Sequence, residues 1–261
     1  MTDKMLSRKE GGVGYVIFNN PERHNAVSLE MWAATREILD GFRNDDSVRV
    51  VVLTGAGGKA FVSGADISKF GAERSSLEAV TKYNATTELA FSGVHEFPKP
   101  TIAMIRGYCI GGGMALATCC DMRIATPASR FGVPAAKLGL GYDARGVRRL
   151  MDVVGPSFAK EIFFTARQFD AEEARAMGFV NRVVADDELE SYVKTYAETI
   201  ASNAPLTIAA AKMAVSELLK DEASRDMAAV SAAVDRCFGS KDYTEGRTAF
   251  MEKRKPVFIG Q

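Results

Sequence analysis

Hydrophobic positions along the chain follow two periodicities. Val13 to Asn19 (Val-Gly-Tyr-Val-Ile-Phe-Asn) predicts a strand closed by an Asn-Asn-Pro turn. Ser28 then caps a helix running to about Gly41. Val48 to Thr54 is a nearly unbroken β-branched run, the pattern of a strand buried on both faces of a parallel sheet. A glycine-rich loop over 55–71 precedes a helix over 75–93, which Phe97-Pro98-Lys99-Pro100 breaks. Thr101 to Gly107 and Asp121 to Ala125 predict two more strands, separated by Gly111-Gly112-Gly113 and a helical segment over 114–120. Helical patterns follow at 144–154, 157–165 and 171–177, then a short strand at 180–184, then further helices from 187 onward. Strand–helix units first and helices last predict an α/β core with a helical C-terminal region, in which residues 1–200 form the core and 201–261 the helical end. No internal sequence repeat is visible.

Composition narrows the function classes. The 261 residues suffice for one well-buried domain. Lys and Arg balance Asp and Glu at 33 each, so no basic field recommends a nucleic-acid partner. The first ten residues show no secretory pattern, and no apolar run nears the roughly 20 residues of a membrane span. A cytoplasmic protein is therefore expected. Cys109, Cys119, Cys120 and Cys237 fit no metal or redox spacing and read as reduced core thiols. Two histidines, His24 and His95, leave little for a zinc site or a Ser-His-Asp triad; no metal is expected.

Two glycine loops carry candidate chemistry. Gly55-Ala-Gly57-Gly-Lys-Ala60 after a strand matches the dinucleotide fingerprint, but Gly64 interrupts the helix that a pyrophosphate would need. A nicotinamide dehydrogenase is thus a weak alternative. Gly107 to Gly113 lies between a strand and an apolar helix. Its glycines permit close backbone approach, and a helix N-terminus supplies unpaired N–H donors. A tight packing turn is the other reading of the same loop.

Several stretches, in this order, resemble the crotonase superfamily, which includes enoyl-CoA hydratases and isomerases. They are Pro21 to Ala26, Lys59 to Ile67, Lys99 to Ala103, Gly107 to Gly113, Phe131-Gly132, Ala171 to Ala174 with Gly178 to Val183, and Glu245 to Pro256. The resemblance implies ββα units turning around two sheets, a C-terminal trimerisation region, and a homotrimer or homohexamer. It implies an acyl-CoA substrate, with coenzyme A as part of that substrate and no separate cofactor. It implies an oxyanion hole from the Ala65 and Gly112 N–H groups. It places coenzyme A along Arg23, His24, Ala26, Ser63, Asp66 and Ile67, with Lys253 approaching the phosphates.

The sequence departs from the family at two positions. Hydratases of the family carry glutamates where this chain has Ala115 and Ala135. Alanine neither accepts a proton nor orients water, so simple hydration is not expected. Asp143 stands where dienoyl-CoA isomerases carry a base and 4-chlorobenzoyl-CoA dehalogenases a nucleophile. Tyr142 stands near a tyrosine of methylmalonyl-CoA decarboxylases. Asp143 also reads as a helix N-cap and Tyr142 as pocket wall, while Arg145 is either the partner of Asp143 or a ligand for a substrate carboxylate. Isomerisation, decarboxylation or other enolate chemistry is favoured over hydration. A catalytically degenerate acyl-CoA-binding protein is the alternative.

Overall fold

The computed structural model describes residues 2–69, 71 and 75–261, with Ile67 described by its backbone alone. β1 (Met5–Glu10) and β2 (Val13–Phe18) form an antiparallel hairpin. Of β1 only Met5 is buried, as suits an edge strand. Helix α1 (Leu29–Arg43) follows, its Ser28 hydroxyl accepting the Met31 N–H.

Three units then repeat one path. Each first strand enters a six-stranded sheet and each second strand a three-stranded sheet, after which the chain turns into a helix. The pairs are β3 (Val50–Gly55) with β4 (Ala60–Val62), β5 (Thr101–Ile105) with β6 (Tyr108–Ile110), and β7 (Met122–Ala125) with β8 (Arg130–Gly132). Their helices are α2 (Leu77–His95), α3 (Gly112–Cys119) and α4 (Ala144–Thr165). The large sheet runs β1-β2-β3-β5-β7-β9, where β9 is Arg182–Val183, and the small sheet runs β4-β6-β8. A structural repeat is therefore present where the sequence shows none. The sheet packs one main core containing Trp32, Phe18, Phe61, Phe131 and Phe179, and a smaller one under α6 (Leu189–Ser202). Helix α5 (Ala171–Ala176) opens with a reciprocal capping box between Asp170 and Glu173.

The expected strand and helix order holds, with edge strand β1 and the short strands of the second sheet as additions. The run 144–165 forms two helical halves kinked at Gly155, whose φ is 75°, just before Pro156. The dinucleotide fingerprint leads into β4 and so does not open a helix of its own, as a pyrophosphate site of that kind requires. Cys109, Cys119 and Cys120 are buried free thiols, and burial raises all three. Among the described residues no helix is long and apolar enough to cross a membrane.

Helices α7 (Pro205–Leu218), α8 (Met227–Phe238) and α9 (Lys241–Glu252) complete the chain. Lys212 ties α7 to the core through Asp121 at 2.6 Å. Asp242 folds the tail back by accepting the Ile259 and Gly260 N–H groups. Val215, Leu218, Phe238, Phe250 and Met251 of these helices are exposed.

Gly113 is the tightest point of the α3 entry. A Cβ there would overlap the Val62 carbonyl oxygen, whereas one on Gly112 would meet the Trp32 ring at 3.3 Å and the Gly64 Cα at 3.9 Å. Gly113→Ala should therefore lower unfolding stability in urea by roughly 1–3 kcal/mol, with a smaller effect for Gly112→Ala. Equal, negligible effects would show that the close approach is not obligatory.

Candidate active site

Two backbone segments meet at their glycines. Gly64 is left-handed, with φ 113°, and a Cβ on it would stand 3.3 Å from the Ile110 carbonyl oxygen and 3.9 Å from the Gly112 nitrogen. A Cβ on Gly112 would stand 3.9 Å from the Gly64 Cα. The turn after β4 and the first turn of α3 thus abut with no side chain between them.

Their hydrogen bonds leave two donors over. Val27 donates to the Gly64 carbonyl (2.9 Å) and Asp66 donates to the Val27 carbonyl (3.0 Å). These bonds make the parallel bridge between Val27 and Ala65 without using the Ala65 N–H. On the other side, Gly111 donates to the Gly132 carbonyl at 2.8 Å, so Gly112 carries the first unclaimed N–H of α3. Among the described residues neither the Ala65 nor the Gly112 N–H has an acceptor. Two fixed donors beside a helix N-terminus suit an oxygen that gains negative charge.

The loop expected to carry coenzyme A is built by Asn25, a residue that the sequence reading passed over. His24 and Asn25 are both left-handed, at φ 51° and 55°. Fully buried, Asn25 accepts the Asn20 N–H at 2.9 Å and donates to the Ala56 and Ala60 carbonyls at 2.9 and 2.7 Å. It fastens the 20–26 turn to β4. An Asn beside a Pro turn, with no apolar role, was the available signal. Ser63 donates its N–H to the His24 carbonyl at 3.2 Å and its hydroxyl to the Arg23 carbonyl at 3.4 Å. Ala26 is half-buried beside them. The side chain of Ile67 lies outside the described structure.

Asp66 is 5% exposed. Burial works against its charge, but the Ser68 hydroxyl and N–H and the Arg23 guanidinium at 3.4 Å outweigh it and leave the carboxyl below its usual range. Arg23 also donates to the Ser68 hydroxyl at 2.7 Å. The structure thus brings Arg23, His24, Ala26, Ser63 and Asp66 together. Lys253 stands apart at the left-handed end of α9, its N–H returning to Ala249 and Phe250. Arg254 is committed to Glu245 and Glu252.

Ala115 is half-buried in the first turns of α3. Ala135 is 7% exposed on the 3-10 turn Pro134–Leu138. Pro134 comes within 3.9 Å of a Cβ position on Gly111, so this turn adjoins the glycine loop.

Asp143 is the N-cap of α4 and is largely exposed. Its Oδ1 accepts both the Arg145 N–H (2.9 Å) and the Arg145 Nε (3.0 Å), and these bonds hold its carboxyl below the usual range. Arg145 is therefore its partner, and lies 3.8 Å from Glu88, which Arg149 grips at 2.7 Å. Tyr142 packs edge-on to Phe163, with ring centroids 4.9 Å apart. Burial pushes its hydroxyl up to about 12, so it stays neutral and able to donate.

Sequence reading also passed over Trp32 and Arg123. The Trp32 ring backs Gly112. Buried Arg123 donates to the Ala117, Cys120 and Phe179 carbonyls and so anchors the far end of α3. A lone cation within an apolar strand was its signal.

With this geometry in hand, the relatives can be placed. The sequence matches the family described as "Enoyl-CoA hydratase/isomerase" over residues 8–261. It is 35% identical over 259 residues to a crotonyl-CoA hydratase of Syntrophomonas wolfei, covering 99% of each chain. It is 35% identical over 265 residues to a carnitinyl-CoA dehydratase of Proteus mirabilis, covering 100% of both. The crystal structure of an enoyl-CoA hydratase/carnithine racemase from Magnetospirillum magneticum superposes with a TM-score of 0.93 at 38% identity, covering 100% of this chain and 97% of that one.

The depressed carboxyl of Asp66 gives a signed pH effect. Its folded value lies below the unfolded one, so its contribution is full above about pH 4 and is lost as pH falls through the folded value. Asp66→Asn should cost stability at pH 7 and narrow the gap from the parent protein in acid. A gap that stays constant between pH 7 and 3 would contradict the pairing.

Proposed function

The chain belongs to the enoyl-CoA hydratase/isomerase family, which acts on CoA thioesters, and from that premise we propose that it stabilises an acyl-CoA enolate at the Ala65 and Gly112 N–H groups. The favoured reaction is isomerisation or loss of carbon dioxide, in preference to addition of water. The observation that carries this reading is the pair of unclaimed N–H groups with alanine at both 115 and 135 beside them. Hydration by a two-glutamate route needs one carboxylate to take a proton from water and another to deliver one; methyl groups do neither. The relatives' names speak for water addition or removal, and the two alanines speak against that route here.

The two favoured reactions need less. When carbon dioxide leaves, the electrons of the broken C–C bond pass into the thioester, and the enolate oxygen rests on the two N–H donors. No strong base is required. Tyr142 would hold the departing carboxylate or return a proton to the α-carbon through its neutral hydroxyl. In isomerisation Asp143 would move the proton through Oδ2, which the cap leaves unused. Coenzyme A would lie along Arg23–Ala26 and Ser63–Ile67, with Lys253 adding charge near its phosphates. Copies of the chain would associate as a trimer or a hexamer through the exposed apolar side chains of α7–α9.

One observation favours a second reading, an acyl-CoA-binding protein without chemistry. Asp143 is exposed, ion-paired and held acidic, which makes it a weak base near neutral pH.

A mass-spectrometric screen of crotonyl-, dienoyl- and methylmalonyl-CoA separates these readings. Turnover of dienoyl- or methylmalonyl-CoA, with crotonyl-CoA unhydrated, is expected. Ala65→Pro removes a donor that no protein group uses and should lower kcat by about 10²–10³-fold. Rapid hydration of crotonyl-CoA would refute the reading of the alanines. Tight binding without any product would favour the binding protein.

A further inference from the structure

Helix α1 touches both halves of the site at its first turn. Its entry residue Val27 forms the bridge to Ala65, and Ser28 then caps the helix. One turn on, Trp32 donates its backbone N–H to the Ser28 carbonyl at 3.1 Å and sends its ring to the other half. A Cβ on Gly112 would stand 3.3 Å from Trp32 Cζ2, and 3.9 Å from both Trp32 Cη2 and the Gly64 Cα. The ring edge thus reaches the point where the two glycine turns meet. Phe18 of β2 and Phe91 of α2 hold the indole from other directions, in T-shaped contacts with centroids 6.2 and 5.1 Å away. Trp32 is the sole tryptophan of the chain and is fully buried. Among the described residues its indole N–H meets no acceptor.

Resting on the enolate reading above, we propose that Trp32 is a positioning residue whose ring sets the spacing between the Ala65 and Gly112 N–H groups. Gly111, Gly112 and Gly113 have no side chains to lodge them, so their placement depends on what packs against them. Val62 limits the approach of Gly113, and the Trp32 ring limits that of Gly112. Val27 and Trp32 belong to the entry and first turn of one helix. The backbone bonds that place Ala65 and the ring that stops Gly112 therefore move together. The unpaired indole N–H argues for shape over polarity. A buried donor without an acceptor opposes folding, and a phenyl or isobutyl group would bring no such donor. What the indole adds is reach, from α1 to Gly112. A shorter side chain leaves space at that edge, the glycine turn relaxes into it, and the two donors cease to meet one oxygen at the same distance. Small displacements of this kind weigh heavily where fixed donors do the stabilising.

The carbonyl stretch of bound butyryl-CoA, labelled with ¹³C at the thioester carbonyl, reads the spacing without relying on turnover. Trp32→Leu should bring the stretch most of the way back to its frequency in water, and Trp32→Phe, which keeps part of the ring, less far. Affinity for free coenzyme A should stay that of the parent protein. For a substrate that the parent turns over, Trp32→Leu should lower kcat by about 10²-fold at unchanged KM. Phe97→Leu, at a fully buried ring away from the glycine turns, controls for general loosening of the core and should leave the stretch in place. Folded Trp32 variants that bind the ester and keep the parent frequency would overturn the inference, as would an equal shift in Phe97→Leu. If neither Trp32 variant folds, the emission of the sole tryptophan in the parent protein decides. It should shift on binding butyryl-CoA and not on binding coenzyme A; emission that ignores the ester would overturn the inference. A parent protein that binds no ester, or whose bound ester keeps its frequency in water, would sink the enolate reading itself, and this inference with it.

Discussion

The approach of the α3 entry to the turn after β4 is the constraint on which the site depends. Only a hydrogen atom fits between Gly113 and the Val62 carbonyl, and Gly64 faces Gly111 and Gly112 across a gap that no side chain occupies. Helix α3 is thereby pressed against a turn whose bridge to Val27 leaves one N–H unused. Two unclaimed N–H groups from distant parts of the sequence lie on the abutting turns because the glycines allow the approach. The ββα path supplies the two backbones: β4 and β6 are neighbours in the small sheet, and each leads directly into one half of the site.

The surroundings hold that arrangement from three sides. Asn25 fastens the preceding turn to β4 through a fully buried amide. Trp32 stands behind Gly112, and buried Arg123 secures the far end of α3. Asp66 and Arg23 pair at the outer edge. Rigid support of this kind matters because fixed donors stabilise a developing charge without having to reorganise. The two side chains proposed to move protons contrast with it. Asp143 serves a helix cap and an arginine on the surface, while Tyr142 is neutral and packed against Phe163. The frame around the two N–H groups is strongly built, whereas Asp143 and Tyr142 are engaged in a cap and in packing.

Much of this was legible in the sequence, for definite reasons. The large sheet was readable because β2, β3, β5 and β7 are apolar runs bounded by turn residues. The small sheet was not, because β4, β6 and β8 have three residues each, too few to show a period. Edge strand β1, polar over Ser7–Glu10 and exposed from Leu6 onward, was hidden because it lacks an apolar run. The cap at Asp143 follows from local chemistry and was visible. That Ala65 and Gly112 belong together was not visible from spacing, since main-chain donors leave no mark in side-chain identity; resemblance to a family supplied it. Asn25 was missed because its partners are carbonyls more than thirty residues away.

The central claim is that the Ala65 and Gly112 N–H groups polarise a thioester carbonyl, whatever reaction follows. Infrared difference spectroscopy of a bound acyl-CoA labelled with ¹³C at that carbonyl measures the polarisation directly. The account predicts a carbonyl stretch at lower frequency than in water, partly restored in Ala65→Pro. A bound ester whose carbonyl frequency matches that in water, in both proteins, would contradict it.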